Sequence, residues 1–271
     1  MSDQSQPHKP KVIVVMPAYN AAQTLERTYR DIPTGTVDHI ILVDDVSRDD
    51  TVAISRKLGL NTVLHIQNRG YGGNQKTCYF EALKEGADVV VMLHPDYQYD
   101  ATKIPQLIAP IINGDADMVL GSRLLQDGAL KGGMPIWKYA ANRGLTTLEN
   151  WAFGRHLSEY HTGLRAYSRR LLQTIPFLLN SDDFVFDTQV IAQAVAYGFR
   201  ISEIPVETRY FKEASSVNFR RSVTYGLETV ATVIEFLLDR RGLRHSRRLR
   251  LPLRSVVSQH YHQDLFRSGE S

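Results

Sequence analysis

Val89-Val90-Val91-Met92-Leu93-His94-Pro95-Asp96-Tyr97-Gln98-Tyr99-Asp100 is the stretch that decides the fold of this chain. An apolar run without alternation reads as a strand buried on both faces, the kind found in parallel sheets covered by helices. The run stops abruptly at His94 and Asp96. Ligands collect in the crevice outside the carboxyl ends of such strands, which makes the loop from His94 to Asp100 a candidate site on position alone. The plainer reading of the same loop is a polar turn leading into a helix near Lys103.

On either side of this strand, apolar segments alternate with amphipathic ones. Strands are expected at Val12 to Met16, His39 to Val43, Thr62 to Ile66 and Met118 to Gly121, and helices at Ala22 to Tyr29, Thr51 to Leu58, Asn74 to Glu85 and Lys103 to Asn113. Strands separated by helices of this length imply βαβ units and a mainly parallel sheet flanked by helices, an α/β fold. Asp49 and Asp50 precede Thr51 as a helix cap. Past Gly121 the rhythm loosens through Gly128, Gly132 and Gly133. It resumes with helices at Trp137 to Phe153 and Phe184 to Tyr197, and strand-like Ile201 to Ile204 and Val206 to Tyr210 flank Pro205. There is no internal repeat.

A last helix places Val223, Leu227, Val230, Ile234 and Leu237 in one apolar seam, with Glu228 and Glu235 elsewhere. The seam can pack on the domain, join a second copy in a homodimer, or lie near a membrane, although acidic residues on the polar face argue against anionic lipid. Gly242 suits the helix stop. Residues 1–10 read as a disordered leader, 11–221 as the main domain, and 222–271 as a C-terminal amphipathic helix with an arginine-rich tail.

The 271 residues are 43% hydrophobic, ordinary for a globular domain with a sizeable core. The single cysteine, Cys78, excludes an intrachain disulfide, fits a reducing compartment and reads as packing. Met1 to Pro10 lack the apolar core of a signal peptide, and no apolar stretch reaches the roughly 18 residues that would span a bilayer. A cytoplasmic location follows as the expectation. The formal net charge is only +3, yet Arg240, Arg241, Arg244, Arg247, Arg248, Arg250 and Arg254 crowd one segment. No zinc spacing or helix-turn-helix cue accompanies them, so nucleic acid is not the expected partner; an anionic membrane surface or simple solvation is.

Four segments at expected strand ends converge on one crevice: Pro17-Ala18-Tyr19-Asn20, Val43-Asp44-Asp45-Val46-Ser47-Arg48-Asp49-Asp50-Thr51, Asn68-Arg69-Gly70-Tyr71-Gly72-Gly73-Asn74 and His94-Pro95-Asp96. In order and spacing, and followed by Gly121-Ser122-Arg123, Thr162-Gly163-Leu164-Arg165-Ala166-Tyr167 and Phe184-Val185-Phe186-Asp187, they resemble family 2 glycosyltransferases of the GT-A (Rossmann-like) fold. Within that family the chain is most similar to the polyprenyl-phosphate, dolichyl-phosphate mannose synthase-like branch, over roughly Lys11 to Phe219.

The resemblance implies a nucleotide sugar as donor, with Pro17, Tyr19 and Asn20 lining the nucleotide pocket and Asp45 bonding the base or ribose. Asp44 is expected to hold its own loop. The family's Asp-x-Asp motif binds a divalent cation, Mg²⁺ or Mn²⁺, that bridges the donor diphosphate. This chain has His94 at the first position, keeps Asp96 at the second, and has Gln98 after it, so Asp96, His94 and Gln98 are the metal candidates with Asp96 foremost. Imidazole in place of carboxylate weakens a simple magnesium cage. Asp96, Glu159 and Asp187 are the catalytic candidates, with Glu159 orienting the acceptor or taking a proton.

For a polyprenyl-phosphate acceptor, Arg123, Arg143 and Arg165 are the expected phosphate-binding cations, because a planar guanidinium grips phosphate oxygens bidentately. Relatives carry a Ser-Lys pair near Ser215-Ser216-Val217-Asn218-Phe219; here Lys212, Arg220 and Arg221 stand nearby instead. The activity so implied is inverting transfer of a hexose to a lipid phosphate at the inner face of a membrane. A soluble glycan acceptor and a non-catalytic nucleotide-sugar-binding protein are the alternatives.

Overall fold

The computed structural model describes residues 9–125, 133–209 and 219–266. The leader up to residue 8, Gly128, Gly132, and the Lys212 and Ser215 to Asn218 segment lie outside the described residues. Seven strands form one sheet: β1 (Val12–Ala18), β2 (His39–Asp44), β3 (Asn61–Leu64), β4 (Val89–Met92), β5 (Met118–Ser122), β6 (Arg165–Ser168) and β7 (Ile201–Pro205). Their order across the sheet is β3-β2-β1-β4-β6-β5-β7. β1 pairs in parallel with β2 and β4, β2 with β3, and β5 with β7, whereas β6 runs antiparallel to both β4 and β5.

The helices are α1 (Leu25–Arg30), α2 (Thr51–Lys57), α3 (Gly70–Lys84), α4 (Ile104–Ile112), α5 (Ile136–Phe153), α6 (Arg169–Thr174), α7 (Phe186–Ala196), α8 (Phe219–Arg240), α9 (Arg247–Arg250) and α10 (His262–Phe266). They cover both faces of the sheet. Alternate residues of β1 divide between two apolar clusters. Val12, Val14 and Met16 meet α1 and α4, while Ile13 and Val15 belong to the cluster that includes side chains of α3, α5, α7 and α8. Phe236 of α8, Leu249, Leu253, Val257 and Leu265 belong to this second cluster, so the C-terminal segment shares the core of the sheet. Cys78 is buried there.

Two elements differ from the sequence reading. Arg165–Ser168 is a strand, although the chain around it carries no long apolar run; pairing between two buried neighbours supplies what propensity does not. Because β6 is antiparallel, its first residue, not its last, lies at the crevice edge: Arg165 pairs with Met92 and with Leu120. The loop that enters β6 is thereby brought beside the loop that leaves β4. The second difference is at Val206 to Arg209, the described part of the expected Val206 to Tyr210 strand, where no strand forms. β7 ends at Pro205, and the described residues beyond it contribute only an isolated bridge between Thr208 and Tyr99. The helix cap is divided as well: Asp49 accepts from the Thr51 backbone N–H at 3.1 Å, and Asp50 makes no side-chain cap bond.

Candidate active site

Among the described residues three non-glycine positions have left-handed backbones, Asn20 (φ 52°), Val46 (φ 67°) and Tyr97 (φ 60°), one in each loop leaving β1, β2 and β4. For a β-branched valine this conformation is costly, and such strain persists where surrounding structure over-determines it. Cross-loop bonds do so here. The Asn20 N–H donates to Ser47 Oγ at 2.8 Å, Asn20 Oδ1 accepts from the Arg48 N–H at 2.8 Å, and the Ala22 N–H donates to Asp49 Oδ2 at 3.0 Å. Tyr97 lies between two guanidinium groups, Arg27 at 4.2 Å and Arg209 at 4.4 Å from its ring centroid.

Pro17 ends inside β1, Tyr19 projects into solvent with its ring available for a flat ligand, and a cleft of about 360 Å³ opens beside them, lined by Asn20, Gln23, Thr24 and Asp49. Asp44 holds its own loop by accepting from the Ser47 N–H at 2.9 Å. Asp45, expected to bond base or ribose, is buried and turned inward. It accepts from His65 Nδ1 at 2.7 Å and from the backbone N–H groups of Arg69 at 2.8 Å and Gly70 at 3.0 Å. Its carboxylate clamps the start of α3 to the end of β2. The glycines that follow are needed for close approach: a Cβ on Gly72 would collide with Ser181 O and Phe186 Cβ, and Gly72 N–H donates to Asp182 O at 2.8 Å.

At the centre, His94 stacks on Tyr71 with ring centroids 5.3 Å apart, and a Cβ on Gly163 would come within 2.9 Å of the imidazole. The Tyr71 hydroxyl lies 2.8 Å from Asp187 Oδ2 and 3.2 Å from His94 Nε2. Burial and the Asp187 charge push the Tyr71 phenol well above its usual pKa, so it keeps its single proton. Asp187 also accepts from Gln75 at 3.1 Å and ion-pairs with Arg165 at 2.6 Å. A carboxylate so placed accepts the hydrogen bond that the tyrosine O–H donates, and His94 Nε2 must then be the donor toward the tyrosine oxygen. Burial lowers the His94 pKa, opposed by the nearby Asp96 charge, which keeps the imidazole neutral near pH 7. Nδ1 is left with the lone pair.

Asp96 is half-buried and accepts from the Gln98 N–H at 3.1 Å. Burial raises its pKa, with His94 opposing, so the carboxylate stands where a bound cation would relieve it. Among the described residues no group of three or more His, Cys, Asp or Glu is arranged to hold a metal. One carboxylate and one imidazole nitrogen nevertheless fit a divalent cation whose remaining ligands are diphosphate oxygens and water.

The remaining expected residues divide sharply. Glu159 is fully buried: it accepts from the Arg123 backbone N–H at 2.8 Å, from Arg123 Nε at 2.8 Å and from Asn142 Nδ2 at 2.9 Å, and its bond to Arg123 Nη2 is shorter still. This corrects the expectation that Glu159 meets the acceptor or takes a proton; it positions Arg123. Arg165 is likewise sealed beneath the site against Asp187 and Tyr160 O, which corrects its assignment to the acceptor phosphate. Arg143 is exposed on α5, while its neighbour Asn142 turns inward to Glu159. Sequence reasoning missed Tyr71, whose signal was an aromatic residue inside a glycine-rich turn. It also missed His161, which links α8 through Tyr225 Oη at 2.5 Å and faces the buried Glu149 carboxylate at 3.0 Å.

Burial alone would raise the Glu159 pKa, but the Arg123 charge and its hydrogen bonds outweigh it and hold the carboxyl below its usual 4.5. A depressed folded-state pKa contributes stability above the unfolded value that is lost as pH falls through the folded one. Glu159→Gln is therefore expected to destabilise the protein at neutral pH, by a margin that narrows steadily as pH is taken down from 4.5. Urea titrations of both proteins across that range check this; a gap that stays constant into acid contradicts it.

A parallel-stranded crevice with a half-buried acidic loop after β4, an exposed tyrosine after β1 and an antiparallel β6 feeding a second loop into the same edge defines a glycosyltransferase of the GT-A type. The family Glycosyl transferase family 2 matches residues 13–175, more than half of the chain, and the protein belongs to it. The chain is 29% identical over 216 residues to the UDP-N-acetylglucosamine–dolichyl-phosphate N-acetylglucosaminyltransferase of Methanococcus voltae, covering 73% of this chain and 86% of that one. It is 25% identical over 207 residues to the polyprenol monophosphomannose synthase of Mycolicibacterium smegmatis, covering 72% and 76%. Among solved structures, glucosyl-3-phosphoglycerate synthase from Mycobacterium tuberculosis superposes with a TM-score of 0.64 at 20% identity, over 88% of this chain and 82% of that one. That enzyme has been crystallised with Mn²⁺, uridine diphosphate and phosphoglyceric acid.

Proposed function

We propose that this glycosyltransferase moves a hexose from a nucleoside-diphosphate sugar to a polyprenyl phosphate with inversion at the anomeric carbon. The observation that carries the reading is that Glu159, the carboxylate expected to take a proton, and Asp187, a second catalytic candidate, are both committed to arginines and other donors inside the protein. A sugar hydroxyl acceptor needs a base. A phosphate monoester, with a second pKa near ~6, is already largely dianionic at neutral pH and needs none. The names of the Methanococcus and Mycolicibacterium relatives support the same acceptor class.

In this reading Pro17, Tyr19 and Asn20 line the nucleotide pocket, and Asp96 with His94 Nδ1 would hold a divalent cation. When bound, it would supply Lewis-acid stabilisation of the charge on the departing diphosphate. Gln98 contributes its backbone N–H to the Asp96 carboxylate and keeps that carboxylate's orientation. Arg123 is partly exposed and locked by Glu159 and His161 O, which suits it to orient the acceptor phosphate; Arg143 reaches the acceptor from the exposed side of α5. An acceptor phosphate oxygen attacks the anomeric carbon from the face opposite the diphosphate. The new C–O bond forms as the bond to the diphosphate oxygen breaks, and that oxygen departs with the electron pair. Asp187 contributes through Tyr71, whose hydroxyl fixes the His94 ring.

Incubation with labelled UDP- and GDP-sugars, Mn²⁺ or Mg²⁺ and a polyprenyl phosphate tests the proposal. Label is expected in the organic phase. Label confined to a water-soluble glycan overturns the lipid acceptor, and no incorporation from any donor overturns catalysis.

A further inference from the structure

α8 carries two stripes on opposite sides. Thr229, Thr232, Val233 and Phe236 are buried against the domain. At 100° per residue Val223, Leu227 and Ile234 of the seam fall on the far side, 48%, 68% and 50% exposed, whereas Leu237 packs against the core cluster. Packing on the domain, one use the spacing allowed, is therefore performed mainly by the other stripe. α5 repeats the arrangement. Asn142, Thr146, Glu149 and Phe153 turn inward, whereas Trp137, Ala141, Gly144 and Trp151 recur at helical spacing on the other side, with Trp137 45% and Trp151 67% exposed. Just past the end of α8, Leu243 is 70% exposed among the exposed arginines Arg240, Arg241, Arg244 and Arg247.

Exposed apolar stripes of this extent mark a docking surface, and charge selects the occupant. Of the acidic residues on α8, Glu235 and Asp239 are occupied, and Glu228 is only partly exposed. Glu235 accepts from Ser246 Oγ at 2.5 Å and lies 3.7 Å from Arg248, and Asp239 pairs with Arg250 at 2.7 Å. What remains outermost is apolar, aromatic and cationic. A second α8 packed in parallel is disfavoured, because the exposed Arg240 and Arg241 would face their own copies. We propose that the outward faces of α5 and α8, with the arginines that follow α8, dock the protein on an anionic membrane surface. Tryptophans sit at the headgroup level, Leu227, Ile234 and Leu243 enter the acyl boundary, and the arginines meet lipid phosphates. No helix among the described residues is long and apolar enough to cross a membrane, so the contact is peripheral. Its purpose rests on the lipid-phosphate reading above, since docking brings the crevice to a membrane-borne acceptor.

The two tryptophans of the chain both lie on this surface, which makes intrinsic fluorescence a direct probe. With the full chain, vesicles of phosphatidylcholine containing phosphatidylglycerol are expected to blue-shift the emission and to sediment the protein; phosphatidylcholine alone is expected to do neither. Arg240→Glu/Arg241→Glu/Arg244→Glu should weaken vesicle binding by about tenfold or more. Leu227→Glu/Ile234→Glu should abolish the blue shift with an unchanged circular dichroism spectrum. Transfer to a short-chain, water-soluble polyprenyl phosphate should be unaltered in both variants. Wild type indifferent to anionic vesicles overturns the proposal, as do variants that bind like wild type, or a solution dimer that Leu227→Glu/Ile234→Glu converts to monomers. Wild type that binds vesicles but fails on the short-chain acceptor overturns the acceptor reading and leaves the docking surface standing.

Discussion

Asp96→Ala is expected to lower kcat by about 10²–10³-fold or more, because in the proposed function this carboxylate would anchor the cation that offsets the charge developing on the leaving group. The side chain is half-buried and accepts from the Gln98 N–H, so the substitution should leave the fold intact and thermal unfolding close to wild type. Affinity for the nucleotide sugar measured in Mn²⁺ should fall toward the value measured in chelator. Activity within a few-fold of wild type contradicts the role assigned to Asp96.

The largest effect on stability is expected from Arg165→Met. Arg165 is fully buried, and its partner Asp187 would be left with only Tyr71 and Gln75 as donors. Breaking a buried ion pair by removing one partner costs about 3–5 kcal/mol, chiefly through the charge left behind. The double substitution Arg165→Met/Asp187→Leu removes both charges and should recover a large part of that loss. Urea denaturation of the two variants checks this. A single substitution costing no more than the double shows that the pair does not act as a unit. The double variant should also lose transfer activity, since Asp187 holds Tyr71 and Tyr71 fixes the His94 ring.

The strands and helices of the first half were readable because apolar periodicity there reflects burial on two faces, as the division of β1 between two clusters illustrates. β6 was not readable as a strand, since four residues that include an arginine carry little periodic signal and gain their conformation from β4 and β5. The same strand explains the main site corrections. Arg165 at its start looks from sequence like a phosphate-binding arginine, yet its register with Met92 and Leu120 places it inside the protein against Asp187. Glu159 and Asp45 belong to loops that the motifs single out, and both are buried. Whether such a carboxylate points at a ligand or at protein donors depends on partners far away in the chain, Arg123 and Asn142 for one, His65, Arg69 and Gly70 for the other. The α8 seam was found by its spacing, but which of two stripes faces the core is a tertiary fact that spacing alone does not carry.

A crystal of the protein grown with Mn²⁺ and a non-transferable nucleotide-sugar analogue, measured at the manganese absorption edge, tests the central claim most directly. The account predicts one anomalous peak within about 2.0–2.6 Å of an Asp96 oxygen, the range of divalent cation–oxygen bonds, with His94 Nδ1 facing it and the diphosphate completing its coordination. The nucleotide should lie along the loops after β1 and β2. A diphosphate bound elsewhere on the protein, or a manganese ion that makes no contact with Asp96, contradicts it.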